Sequence, residues 1–204
     1  MTNQQAQTVA AVDVVFPIDG QTLARDHAQA LQQALCAQWP WLSEDAVAGV
    51  HSIKLVPGTV DPALLSRRAR LLLRVSAQRA EELMSLTALD LDVAGHHLRL
   101  STPHLRELQP HSTLYAYKVA SESGDEVALM AALELELAAL GVGGERVCGK
   151  RQPMVVSGRA MDTFSMMLHA LKPEQSLRLQ QHGLGPHRLL GCGLFVPHKS
   201  AAAV

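Results

Sequence analysis

The chain of 204 residues is poor in aromatic residues, at 3%, and has no apolar run near the ~20 residues of a membrane-spanning helix. Few aromatics argue against a protein that gains affinity by stacking bases on an aromatic platform. The three cysteines, Cys36, Cys148 and Cys192, are widely spaced and form no C-x-x-C pair, so neither a disulfide framework nor a zinc site is indicated. We expect no metal and no cofactor.

A secretion signal is also missing, because the opening MTNQQAQTVAAVDVV lacks a basic segment followed by a long apolar core. The expected location is the cytoplasm, without a membrane partner. The net charge of −1 gives no general attraction to nucleic acid, but the charge is unevenly spread. Residues 141–204 hold eight Lys or Arg and three Asp or Glu, a net +5, whereas residues 1–140 have a net charge of −6. A basic C-terminal part can bind an anionic backbone locally.

The spacing of apolar residues predicts the order βαββαβ twice. The first half has predicted strands at 12–18, 50–56, 70–75 and 89–93, with helices from Thr22 and Ser76. The second half has predicted strands at 113–119 and 146–150, a strand or hairpin within 154–171, a strand at 194–196, and helices at 125–140 and 173–182. We therefore expect an α+β protein of two tandem ferredoxin-like domains, residues 1–100 and 101–204, the second with a glycine-rich loop.

That loop, residues 183–199, is the most informative segment. Glycine admits positive φ and close approach of the backbone to a ligand, and it costs entropy where neither is needed. Four glycines among basic side chains predict a loop whose N–H groups and cations face an anion, and a phosphate chain is the anion we infer. Zinc is a poor alternative, since only Cys192 is near the loop's histidines.

The order G-hydrophobic-G-x-x-R-x-x-G-x-G-hydrophobic-hydrophobic, read from Gly183, resembles the signature of the Cas-six family of CRISPR-associated repeat-cleaving endoribonucleases. The closing FVPHK, and the opening DVVFPIDG followed by LARDHAQALQQAL, are similar to its Myxococcus-type branch. The resemblance implies a metal-independent enzyme that cuts precursor CRISPR RNA at the repeat stem-loop into guide RNA. The implied products carry a 2′,3′-cyclic phosphate and a 5′-hydroxyl. It also implies further partners, the other Cas subunits of an effector complex in which the enzyme stays bound.

The catalytic candidates are two histidines and a lysine. The family's general acid or base is commonly a histidine in or just after the first helix, which the resemblance carries to His27. An imidazole suits proton transfer at neutral pH. His51 is the second candidate, and Lys54 is a candidate cation for the developing charge on the phosphate. Tyr115 and Tyr117 lie outside this region, so the acid–base partner of His27 stays open.

The candidate RNA contacts fall into three groups. Strand alternation predicts Arg68, Arg70 and Arg74 on one face, either as a stripe that follows phosphates or as an exposed face balanced by nearby acids. A second group flanks the predicted hairpin: Lys150, Arg151 and Arg159. The loop contributes Gly183, Gly185, Arg188, Gly191, Gly193 and Lys199.

Two other functions stay open at this point. A non-catalytic repeat-RNA-binding subunit of a CRISPR or transposon-associated surveillance complex would have the same fold and loop, without a histidine placed to act. A tandem ferredoxin-like regulatory protein would bind a small anionic metabolite at the loop, and would not bind RNA at low salt. Hairpin recognition suits a chain with few aromatics better than single-strand recognition does.

Overall fold

The computed structural model describes residues 10–121 and 124–199, which form a mixed α+β protein with antiparallel sheets. Residues 1–9, which carry most of the segment tested for a secretion signal, lie outside the described part. In the described ranges, every helix is too short or too polar to span a membrane.

The N-terminal half is built on one large sheet. Its elements are β1 (Ala11–Asp19), β2 (Thr22–Leu23), α1 (Ala28–Gln38), β3 (Gly49–Val50), β4 (Ala63–Leu64), β5 (Arg70–Ser76), α2 (Ala77–Met84), β6 (Ala88–Val93), β7 (His96–Ser101) and β8 (His104–Glu107). The sheet order is β3-β5-β1-β7-β6, and β8 pairs with the first part of β1 while β7 pairs with its end. Strands β2 and β4 form a separate pair, and a 3₁₀ helix covers Pro40–Ser43.

The core of this half lies between the sheet and its two helices. Leu71 and Leu73 alternate along β5, and Leu31 and Leu35 are four apart on α1, so each pair presents one apolar face. All four side chains are at most 1% exposed. Burial of each contributes about 1.5–3 kcal/mol toward folding.

The C-terminal half repeats the plan on a second sheet. Its elements are β9 (Leu114–Ser121), α3 (Glu126–Ala139), β10 (Glu145–Val156), β11 (Arg159–His169), α4 (Pro173–His182), a 3₁₀ helix (Arg188–Leu190) and β12 (Val196–Pro197). The sheet order is β10-β11-β9-β12. Helix α3 begins after Asp125, whose carboxylate accepts hydrogen bonds from the N–H groups of Val127 and Ala128. Buried leucines at positions 129, 133 and 137 hold α3 on the sheet.

The predicted first helix is six residues too long. Thr22 and Leu23 form β2 by pairing with β4, and α1 begins only after His27. This difference places His27 at the helix N-terminus instead of inside the first turns. The cause is a long-range strand pairing, which the local apolar spacing does not report.

Three predicted strands also differ from the structure. The strand expected at 50–56 is limited to Gly49–Val50, because the chain then leaves β5. The strand at 89–93 forms, but it pairs with β7 and not with β1. The last strand is Val196–Pro197, since Leu194 and Phe195 are buried in the interior before the chain reaches β9.

The two halves meet at a buried arginine. Arg74 on β5 donates from Nε and Nη2 to the two carboxylate oxygens of Asp13, at 2.9 and 3.2 Å. Its Nη1 donates to the carbonyl oxygens of Gln180 and Phe195, at 2.8 and 3.1 Å. Arg74 is 0% exposed, so the prediction that it continues an exposed stripe with Arg68 and Arg70 is wrong. The C-terminal half covers the part of β5 where it lies.

Candidate nucleic-acid interface and catalytic residues

His27 lies at the N-terminus of α1 and is only 6% exposed. Its Nδ1 is 2.9 Å from the carbonyl oxygen of Ala24, and its Nε2 is 3.3 Å from the backbone nitrogen of Ile53. One neutral tautomer satisfies both contacts, with Nδ1–H donating and Nε2 accepting. Burial lowers the pKa of His27 below 6.5, and the positive charge of Lys118 lowers it further. The imidazole is therefore neutral at pH 7, and a neutral imidazole is a proton acceptor.

Two β-bulges lie side by side in the C-terminal sheet. Between Ala116 and Val119, β9 places two residues opposite Ser165 of β11. Between Cys148 and Arg151, β10 places two residues opposite the same serine. The residues that border the bulges contact the core beneath α3 and α4: Ala116, Val119 and Cys148. The side chains inside each bulge therefore point to the opposite side of the sheet, away from these helices.

The bulges thereby bring Tyr117, Lys118 and Lys150 to one side of the sheet, which we call the bulge face. Tyr117 and Lys150 are exposed and Lys118 is half-buried. Further along the same side, Ala120 packs in a small apolar cluster that Ala28 of α1 also contacts. His27, which precedes Ala28, is therefore at the edge of the bulge face, next to Lys118.

The β10–β11 hairpin extends this surface. The N–H of Ser157 in its turn donates to Oε1 of Gln29 on α1, at 2.8 Å. Arg159 is exposed and pairs with Val156, which contacts the same small apolar cluster, so Arg159 shares the side of the bulge face. Arg151 points to the opposite side and forms a two-bond ion pair with Asp162, at 2.9 and 2.5 Å. Its charge is thus already balanced.

The other catalytic candidates lie in different surroundings. Lys54 is exposed and is adjacent in sequence to Ile53, whose N–H group contacts Nε2 of His27. The His51 side chain is 13% exposed, and its Nε2 is 3.9 Å from Oδ1 of Asp13. Burial lowers the pKa of His51 to about 3, with a further contribution from Arg74. His51 is therefore neutral at pH 7, and it lies beside the ion pair of Asp13 and Arg74.

The glycine N–H groups of the glycine-rich loop are already bonded within the protein, so the expectation that they are free to face an anion is wrong. The N–H groups of its four glycines donate to protein acceptors: Leu179 O for Gly183, Glu136 Oε2 for Gly185, Arg188 O for Gly191 and Lys118 O for Gly193. Gly193 has φ of 66°, and a Cβ there would collide with the carbonyl group of Leu184. Close packing, not ligand contact, requires this glycine.

Arg188 fastens the loop to the N-terminal half. Its guanidinium donates to the carbonyl oxygens of Ala48 and Val47, at 3.2 and 2.7 Å, and to those of Gln181 and His182 at the end of α4. Burial, together with the charge of Arg74, lowers its pKa to about 10. These contacts use the donors that the sequence had suggested for phosphate.

The remaining cations are exposed. Lys199 follows β12, and Arg68 and Arg70 lie at the start of β5, where Arg70 pairs with Pro17 of β1. Sequence reasoning missed Lys118 as a site residue. The sequence did contain a weak signal for it. Simple alternation along β9 would point Lys118 into the core beside Ala116, and because lysine is rarely buried, this conflict indicates a bulge.

The structure thus defines an α+β protein with two main sheets, a neutral histidine near the junction of its halves and a basic sheet face beside it. Across residues 10–121 and 124–199, no group of three or more His, Cys, Asp or Glu is arranged to hold a metal. A family model described as Cas6 Crispr matches residues 12–200. The CRISPR-associated endonuclease Cas6 of Myxococcus xanthus (strain DK1622) is 37% identical over 194 residues, 95% of this chain and 84% of that protein. The chain belongs to the Cas6 family, which confirms the class predicted from the loop: a CRISPR-associated endonuclease.

Solved structures have the same fold at low sequence identity. A CRISPR-associated protein Cas6 superposes with a TM-score of 0.67 at 9% identity, covering 93% of this chain and 100% of that one. A RAMP protein described as binding different RNA substrates gives 0.61 at 10% identity, with 91% and 98% covered. A Cas6-related protein from Pyrococcus furiosus gives 0.57 at 11% identity, with 91% and 98% covered. The architecture is therefore Cas6-like.

Proposed function

We propose that this Cas6 endonuclease binds the stem-loop of a CRISPR repeat and cuts precursor CRISPR RNA without a metal, leaving a 2′,3′-cyclic phosphate and a 5′-hydroxyl. The observation that carries the proposal is the neutral imidazole of His27 beside the ammonium group of Lys118, at the edge of a basic sheet face. The RNA-binding relative of the same fold and the Myxococcus endonuclease support RNA as the substrate.

In the proposed reaction, Nε2 of His27 takes the proton of the ribose 2′-hydroxyl, and the 2′-oxygen attacks the adjacent phosphorus. The bond from phosphorus to the 5′-oxygen breaks, and one of two ammonium groups, Lys118 or Lys54, protonates the leaving oxygen. Both lysines supply positive charge to the phosphate as its charge develops. The contact between Nε2 and the Ile53 N–H, at 3.3 Å, is long for a hydrogen bond, so the 2′-hydroxyl can replace it.

Exposed cations hold the RNA backbone in this proposal. Lys150 and Arg159 lie on the side of the bulge face, Lys199 follows β12 of the same sheet, and Arg68 and Arg70 add charge on the N-terminal half. Arg151 and Arg188 leave the proposed set, because Asp162 and backbone carbonyls use their donors. Phosphate contacts at these positions would recognise the shape of the stem, since an A-form major groove is too narrow for side chains to read.

The proposal includes two ferredoxin-like domains, residues 1–100 and 101–204, in a cytoplasmic protein that keeps its product in an effector complex. The C-terminal sheet supports the fold, because its order places the fourth strand, β12, beside the first, β9, as the βαββαβ pattern requires. In the N-terminal sheet, β7 and β8 share the corresponding position beside β1.

A non-catalytic RNA-binding subunit is the second candidate, because both ring nitrogens of His27 already have protein partners. The deciding experiment incubates 5′-labelled repeat stem-loop RNA with the protein in excess chelator. We expect cutting by the wild type, a loss of about 10²- to 10⁴-fold in rate for His27→Ala, and no cutting of RNA with a 2′-deoxy sugar at the scissile position.

The matched control is His97→Ala, which removes an exposed histidine on β7 and should cut normally. Tight binding without cutting by the wild type would establish the second candidate. Cutting that requires an added metal ion, or that persists unchanged in His27→Ala, would reject the proposed mechanism.

A further inference from the structure

The two tyrosines of the chain meet on one side of the C-terminal sheet. Tyr115 and Tyr117 are two residues apart on β9, with ring centroids 5.0 Å apart and nearly perpendicular planes. The ring of His198, after β12, lies 5.3 Å from that of Tyr115. We call these three residues the aromatic platform. Tyr117 is 54% exposed, an unusual degree for a ring on a sheet interior.

The aromatic platform is continuous with the bulge face. Tyr117 and Lys118 occupy the same bulge, and Lys150 lies across Ser165 in the other one. At the opposite end, the exposed Lys199 follows His198. Aromatic rings are thus flanked by ammonium groups along one surface that leads, through Lys118, to His27.

We propose that the aromatic platform stacks unpaired bases of the RNA strand beside the stem, while Lys150 and Lys199 hold the phosphates of that strand. This inference rests on the proposed function, because it names the single-stranded part of the same substrate. Sheets with exposed aromatic rings bind unpaired nucleotides in this way, and every base has a face that can stack. The flanking positive charge favours a polyanion over an apolar protein surface as the occupant.

The test measures binding of two uncleavable RNAs that have a 2′-deoxy sugar at the scissile position, one a bare repeat stem-loop and the other the same stem-loop with its unpaired flank. We expect Tyr117→Ala to weaken binding of the flanked RNA about tenfold and to leave the bare stem-loop unchanged. Tyr117→Phe keeps the ring and should bind like the wild type. The control is Leu135→Ala, which removes a 73% exposed side chain from α3, on the other side of the sheet.

A second readout uses 2-aminopurine placed in the flank, whose fluorescence should be quenched by the wild type and Tyr117→Phe but not by Tyr117→Ala. Equal binding of both RNAs by wild type and Tyr117→Ala, or equal losses on both, would overturn the stacking inference and leave stem binding standing. Failure of the wild type to bind either RNA would overturn the proposed function together with the inference.

Discussion

His27 and His51 are both buried, and the groups around each one give it a different chemistry. His27 has a carbonyl acceptor on Nδ1 and a weak N–H contact on Nε2, so its lone pair can be exposed by a small displacement. His51 lies near Asp13, and the charges of Arg74, Arg106 and Arg188 help to keep its ring neutral. Only His27 combines a neutral ring with a neighbouring cation at the edge of an exposed surface.

The pH dependence of cleavage should report the state of His27. Burial and Lys118 lower its pKa below 6.5, so a general base is fully available above that pH and is lost as the pH falls through the lowered pKa. Single-turnover rates should be flat near pH 7 and decline only below 6.5. Lys118→Met removes one cause of the lowered pKa of His27, so the cleavage rate of this variant should begin to decline at a higher pH than that of the wild type. Its cleavage rate at pH 7.5 should also be lower, because a cation near the phosphate is lost. A decline that does not move in Lys118→Met would contradict the assigned coupling.

At the scale of elements, the paired bulges decide which side chains lie on the bulge face. Regular alternation would keep Tyr117 and Lys118 on opposite sides of β9, and the extra residue puts both on the exposed side. The glycine-rich loop has the complementary task. Its glycine amides and Arg188 donate to protein acceptors, and these hydrogen bonds tie the loop to the end of α4 and to β9.

Lys150 and Arg151 are adjacent on β10 and offer a matched pair for this argument. Lys150→Met should weaken RNA binding and reduce the slope of log affinity against log salt by about 1, because one phosphate contact is lost. Arg151→Met should change neither quantity, since Asp162 already pairs with this arginine on the other side of the sheet. Affinities measured from 50 to 300 mM salt test both, and equal effects of the two substitutions would refute the assignment of faces.

At the scale of the whole molecule, the junction of the halves is a buried charged cluster. Burial by itself would raise the pKa of Asp13, but Arg74 and Arg106 lower it by more, so the carboxylate stays ionised. Arg74 also donates hydrogen bonds to two carbonyl oxygens of the C-terminal half. The pKa of His51 depends on the charges around it: Asp13 raises it, and Arg74, Arg106 and Arg188 lower it. Removal of one partner would leave a buried charge uncompensated, which typically costs about 3–5 kcal/mol.

This cluster should make folding sensitive to acid. The unfolded chain protonates His51 below its ordinary pKa of 6.5, whereas the folded chain does so only near pH 3, so the free energy of unfolding falls as the pH drops between those values. The largest slope from one such group is about 1.4 kcal/mol per pH unit. Urea unfolding at pH 7.5, 6 and 5 should show a shallower dependence for His51→Gln than for the wild type. The same substitution at the exposed His104 is the control, and an unchanged slope in His51→Gln would count against this account.

Much of the architecture follows from the sequence. The apolar spacing within β1, β5, α3 and α4 is read correctly because each segment must bury one face, and local periodicity records that need. The loop motif from Gly183 identified the family, and the same resemblance made His27 the catalytic candidate. Lys150 and Arg159 were predicted as RNA contacts because they flank a hairpin, and that hairpin forms.

The tertiary structure decided which candidates can act. The pairing of β2 with β4 moved His27 to the helix terminus, and the contact between the halves buried Arg74 and engaged the guanidinium of Arg188 with backbone carbonyl groups. The bulge in β9 turned Lys118 to the side of the sheet that carries both tyrosines, and the bulge in β10 put Lys150 on the same side. Such outcomes depend on contacts between residues far apart in the chain. Local periodicity predicts which face of a helix or strand is buried, but it carries no information about these long-range contacts.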